Sequence, residues 1–294
     1  MDKKKCIGLL AATVMILSSC SSQNRGKKND LKFNHLYVVV DAETYNQFLT
    51  NDFVQNEFAN SDMGMPNFQK IDNTAKTFYI RGENTYLELM GPENKFKEPV
   101  GAIGIGFSWD TQLPFTYNIN DYLKVGKNNP PKFETFEFPW DFHDHKTVWY
   151  QASYTKAKSN NLSTWYSFYN PAFLSDLFKK NYTQYSNKDY LSKAYNPKKL
   201  LTDLVAVNLS CTKLDFDKIV NELKYLDSKI ILKNGSSVTY QFQKFQLTIA
   251  PNNSASTSNV ESITFKTKNT QSNNMIIEKI KIKNNDSKSI WEFH

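Results

Sequence analysis

One order of elements, a strand, a helix and three strands, is written twice along this chain, and it narrows the available folds more than any other feature. His35 to Val40 reads as a strand, and Asp41 or Thr44 then opens a helix with Tyr45, Phe48, Leu49 and Phe53 at helical spacing. Three strands follow, Thr77 to Arg81, Thr85 to Met90 and Ala102 to Trp109. Gly82, Glu83 and Asn84, and then Gly91 and Pro92, separate them. The second copy begins with a strand from Leu204 to Leu209 and a helix from Asp215 to Leu226, whose Phe216, Ile219, Val220 and Leu223 share a side. Strands are expected at Lys229 to Leu232, Val238 to Gln243 and Phe245 to Ile249, with Asn234 and Gly235 supplying hairpin-turn chemistry. A further strand spans Ile263 to Thr267, and Met275 to Ile282 and Ile290 to Phe293 read as closing strands. One stretch echoes between the copies, with Tyr86 to Pro92 lying over Phe245 to Pro251. The expected class is α+β, with one βαβββ module at residues 31–127, another at 201–294, and an insertion at 128–200.

The insertion carries Trp140, Trp149, Trp165 and several Tyr and Phe, a composition that does not belong to a disordered segment. Phe133 to Tyr154 reads as strand-like with a break at Pro139, Pro171 to Lys180 as a helix started after Asn170, and Ser186 to Lys199 as a polar connector. The 16 Tyr and 21 Phe of the chain favour sheets. Trp165, Tyr166, Phe168 and Tyr169 are either pocket or core. Gly101, Gly104 and Gly106 sit in a strand-like run without a following helix or a lysine, so close packing explains them better than phosphate binding.

At the other end of the chain, Lys3, Lys4 and Lys5 precede an apolar run that closes on Leu17, Ser18, Ser19 and Cys20. This segment resembles a bacterial lipoprotein signal at all four positions of the lipobox. The resemblance implies that residues 1–19 are a signal peptide, that Cys20 is acylated, and that the protein is held by membrane lipid. Its expected address is the periplasmic face or outer membrane of a Gram-negative bacterium. The apolar residues from Ile7 to Leu17 are too few to span a bilayer, which takes ~20. Acyl chains contribute roughly 0.8 kcal/mol per buried methylene. Residues 20–30, without apolar side chains from Ser21 to Asp30, form the expected flexible tether. Loss of residues 1–19 removes Cys6, three lysines and Asp2, lowering the formal charge of +7 by two. No arginine-rich stripe or nucleic-acid motif remains, so nucleic acid is not an expected partner. Cys211 is left as the one free thiol and reads as structural.

Two βαβββ modules, the segment Asn34, His35, Leu36, Tyr37, Val38, Val39, Val40, Asp41 and the strand Tyr86, Leu87, Glu88, Leu89 together resemble the vicinal oxygen chelate superfamily of glyoxalases, bleomycin-resistance proteins and extradiol dioxygenases. The chain is similar to glyoxalase-like lipoproteins of Gram-negative bacteria. The resemblance implies a half-open barrel whose cup holds a small organic ligand contacted by Tyr37 and Tyr86. It also implies a divalent metal, zinc, manganese or iron, on His35 and Glu88, with Glu88 available to move a proton in a lyase, isomerase or dioxygenase. Gly104 stands where the family often has histidine, and Leu247 is the echo of Glu88, so the metal site is incomplete by itself. His143 and His145, with Asp141 on the same face if Phe142 to Tyr150 is a strand, are the candidates to complete it. The leading expectation is a binding protein with an incomplete metal site; the metal enzyme and a structural or scaffold lipoprotein are the alternatives.

Overall fold

The computed structural model describes residues 30–124 and 129–294, apart from the side chains of residues 269–272. The expected signal peptide, Cys20 and the tether as far as Asn29 lie outside the described residues, as do residues 125–128 at the junction of module and insertion. The strands are β1 (Lys32–Val39), β2 (Asn60–Asp62), β3 (Thr77–Arg81), β4 (Tyr86–Met90), β5 (Ile103–Trp109), β6 (Thr111–Gln112), β7 (Phe133–Asp141) and β8 (Lys146–Thr155). They continue with β9 (Leu162–Tyr169), β10 (Gln184–Tyr185), β11 (Leu201–Cys211), β12 (Lys229–Asn234), β13 (Ser237–Phe242), β14 (Phe245–Pro251), β15 (Asn259–Ile277) and β16 (Ile280–Phe293). The α-helices are α1 (Ala42–Thr50), α2 (Pro171–Phe178), α3 (Asn187–Leu191) and α4 (Lys213–Tyr225).

The fold is α+β with paired βαβββ modules. In each module the first strand lies between the third, which runs parallel to it, and the fourth, which is antiparallel: β1 between β4 and β5, and β11 between β14 and β15. A further edge strand, β2 or β12, extends each module, so β12 is an addition and β15 is the fourth strand. The three strands of the insertion continue the first sheet, giving the order β2-β3-β4-β1-β5-β9-β8-β7. The second sheet runs β12-β13-β14-β11-β15-β16. The cup lies on one face of the first sheet, walled by the first module and the insertion, with the second module packed behind it.

Local chemistry starts both module helices. Asp41 caps α1 by accepting the Thr44 N–H at 2.9 Å, and Thr212 caps α4 by accepting the Asp215 N–H at 3.2 Å. Both helices lie in the apolar layer between the sheets. Phe48 of α1 meets Phe78 of β3 and Trp291 of β16, with ring centroids 6.3 and 5.3 Å away. Glu222 of α4 accepts hydrogen bonds from the Thr164 and Tyr166 hydroxyls of β9 at 2.6 and 2.9 Å. Leu36, Val38, Leu87 and Leu89 from one sheet and Val207, Leu209, Leu247 and Ile249 from the other share this core with Cys211. Burial pushes the Cys211 thiol up to about 12, which makes it inert.

Three expected elements differ. Met275 to Ile282 is the tip of a long hairpin, β15 and β16 turning at Glu278 and Lys279, because β15 keeps pairing across two register shifts. Ser186 to Lys199 is more than a connector: α3 lies in it and buries Tyr190 and Leu191, a pair too short to show a period. Phe133 to Tyr154 is a hairpin with a bulge at Pro139, a residue that has no N–H to pair.

A half-buried polar clamp also joins the modules. Asp203 of β11 accepts from the Asn84 and Thr85 backbone N–H groups at 3.1 and 2.9 Å and from their side chains at 2.7 and 2.6 Å. Replacing Asp203 with alanine strands these donors and is expected to cost about 3 kcal/mol, read as a lower urea midpoint with an unchanged slope. An unchanged midpoint would show that the clamp does not hold the modules together.

Candidate functional site

Two rows of residues cross the open face of the first sheet, set by strand register. One row is Tyr79, Glu88, Tyr37, Gly104 and Ser163; the other is Arg81, Tyr86, His35, Gly106 and Trp165. The glycines of β5 decide what the rows can build. A Cβ at Gly104 would stand 2.0 Å from the Tyr37 ring, and one at Gly106 would stand 2.8 Å from the Trp165 ring. Both aromatic rings therefore lie down over the glycine backbone, 20° from parallel with centroids 5.8 Å apart, and Tyr37 reaches the Ser163 side chain. They floor a cavity of about 480 Å³ walled by Tyr86, Tyr150, Tyr154, Trp140 and Trp149.

His35 and Glu88 face this cavity as neighbours, His35 Nε2 standing 3.7 Å from Glu88 Oε1. Asn34 orients the imidazole. Its Nδ2 donates to Ser108 and to Asn187, which leaves Oδ1 to accept His35 Nδ1–H at 2.7 Å. The tautomer is thereby fixed, with the Nε2 lone pair toward Glu88. Burial, then the Arg81 charge, pulls His35 down to about 3, so the ring is neutral. Burial pushes the Glu88 carboxyl up to about 7, against the pull of Arg81 and Lys95. Glu88 is only 8% exposed and makes no hydrogen bond among the described residues.

Beneath them, Arg81 is fully buried in a two-pronged pair with Asp62, Nε to Oδ2 at 2.8 Å and Nη2 to Oδ1 at 2.9 Å. Its guanidinium lies against the Tyr79 and Tyr86 rings, 4.3 and 4.7 Å from their centroids. Arg81 and Asp62 carry no motif, and their pairing depends on β2, which three residues do not advertise.

The donor set does not fit a resident metal. His35 and Glu88 are two protein ligands where three are needed. The third position, at Gly104, is covered by the Tyr37 ring. His143 and His145 do not complete the site. They lie in the β7–β8 turn, because His143 adopts φ +78° with its N–H on Asp141, which ends the strand that was to place them on one face. His145 is engaged instead by Asp144 at 2.7 Å and Asp176 at 3.0 Å, and neither histidine lines the cavity. Among the described residues no group of three or more His, Cys, Asp or Glu is arranged to hold a metal. Leu247 is not the counterpart of Glu88: it faces the inter-sheet core, as Leu87 and Leu89 do, so the sequence echo is one residue out of step. Of the aromatic run on β9, Trp165 and Tyr169 line the cavity while Tyr166 and Phe168 point into the core, as strand alternation requires.

Over residues 33–293 the sequence matches DUF5829, a family of unknown function. The chain belongs to this family. No curated protein matches this DUF5829 member in sequence. Its fold is similar to a hypothetical protein from Staphylococcus aureus, with TM-score 0.48 and 15% identity over 84% of this chain and 95% of the other. It is also similar to a xylose isomerase-like TIM barrel/4-hydroxyphenylpyruvate dioxygenase fusion protein, with TM-score 0.45 and 12% identity over 82% of this chain and 37% of that one. A third similar structure is a mutant 4-hydroxymandelate synthase from Streptomyces coelicolor, with TM-score 0.41 and 12% identity over 79% and 69%.

The glycine floor makes a specific prediction. Gly104→Ala is expected to cost about 1–3 kcal/mol by overpacking. In a Tyr37→Ala background the same change costs less than half as much, since the clashing ring is gone, and thermal or urea denaturation reads the cycle. Glu88 predicts a pH signature. Its folded pKa is raised from 4.5 to about 7, so the stability it costs grows as pH rises from about 4.5 and levels off above about 7, and Glu88→Gln gains up to about 3 kcal/mol at pH 8 while staying near neutral at pH 4. Equal urea midpoints for the two proteins at pH 8 would contradict that environment.

Proposed function

We propose that this protein is an exported lipoprotein, anchored to membrane lipid through acylated Cys20, that binds a small organic ligand in the cup of its first sheet without a resident metal. One observation carries the binding reading: a cavity of about 480 Å³ floored by two flat aromatic rings, with a carboxylate at its base that makes no hydrogen bond among the described residues. Its volume falls in the range of small-molecule sites, and its lining combines apolar walls with few polar groups. Glycines at 104 and 106 have one evident use here, which is to keep the floor open for those rings. The anchor is supported by the Leu17, Ser18, Ser19, Cys20 sequence alone. Fully extended, Ser21 to Asp30 reaches at most about 35 Å, which keeps the cup at the bilayer surface.

A thermal-shift screen of aromatic and amphipathic compounds against the full-length protein in mild detergent is expected to raise Tm for ligands of the cup. Trp165→Ala abolishes that rise, and EDTA leaves it unchanged. A rise lost on EDTA treatment would favour the metal-enzyme alternative using His35 and Glu88. Labelled palmitate is expected to enter the wild-type chain but not Cys20→Ser, whose product leaves the membrane fraction or stays unprocessed.

A further inference from the structure

Resting on the reading that the cup binds a small ligand, we infer that the ligand is an organic cation, an amine or quaternary ammonium held between the Tyr37 and Trp165 ring faces and the Glu88 carboxylate. The charges around the cavity support this class. Arg81 is matched by Asp62, Lys95 rests its ammonium on the Phe96 ring at 4.9 Å, and the half-buried Glu98 adds a further negative charge to the lining. His35 is neutral and offers a lone pair, not a proton. Glu88 is therefore the base-of-cavity charge without a counterion, more than nine-tenths buried and without a hydrogen bond among the described residues. An unpaired buried carboxylate is costly alone and favourable once a cation meets it.

The rings supply the second half of the site. With one face pressed to the glycine backbone, Tyr37 and Trp165 present the other face to the cavity, where a cation is attracted by the ring quadrupole. The wall already shows this contact, in the Arg81 guanidinium set against Tyr79 and Tyr86.

The test compares choline with its uncharged isostere 3,3-dimethylbutan-1-ol by titration calorimetry on the full-length protein in non-ionic detergent. Choline is expected to bind at least tenfold tighter at pH 8. Glu88→Gln removes the preference, and Trp165→Leu, which leaves the carboxylate in place, removes most of it. Glycerophosphocholine separates two sources of the same chemistry: equal affinity assigns a lipid headgroup, and weaker affinity a free amine. Equal or tighter binding of the neutral isostere overturns the cation class and leaves the cup a site for a neutral ligand. If neither compound nor any aromatic probe binds, the cup reading falls with it.

Discussion

Both sheets share a single apolar layer, and α1 and α4 each turn one face into it, with Glu43 and Gln47 of α1 and Asp217 and Asn221 of α4 on their exposed faces. Each helix thus covers the back of its own sheet and touches the other, as Phe48 does between Phe78 and Trp291. Burying the back of the first sheet in this way leaves its front free of any covering module. The cup face exists because Leu36, Val38, Leu87 and Leu89, at alternate positions of β1 and β4, turn to the other side, while Tyr37, Tyr86 and Met90 line the cavity.

Polar groups set the alignment of that layer. Asp203 holds the β3–β4 turn against β11, and Glu222 with Asp215 holds α4 against the insertion and the β15 entrance. These are acceptors with several donors each, so the layer has one satisfied arrangement and few near alternatives. Since the β3–β4 turn leads into Tyr86 and Glu88, the second module positions the cup without lining it.

Within the cup, the glycines of β5 connect fold to chemistry. A side chain at Gly104 or Gly106 would lift Tyr37 or Trp165 off the sheet and fill the cavity. The same absence of a side chain removes the ligand position that the superfamily resemblance places at Gly104. An aromatic floor and a three-ligand metal site are alternatives at this position, and the floor occupies it.

The sequence by itself determined the two modules, their helices and the main strands, because alternation, helical spacing and capping residues such as Asp41 and Thr212 act locally. The superfamily resemblance grouped His35, Glu88, Tyr37 and Tyr86 at one site, and the structure brings all four to one cavity. Pairing between distant segments was not legible. That the insertion extends the first sheet, that Arg81 meets Asp62, and that Leu247 faces inward are long-range register decisions, and a slip of one residue reverses a face. His143 and His145 had a plausible strand spacing until the turn took the positive φ at His143. Tertiary structure alone decided that Gly104 is a seat for a ring and not a vacancy for a ligand, because only packing reveals what an absent side chain makes room for.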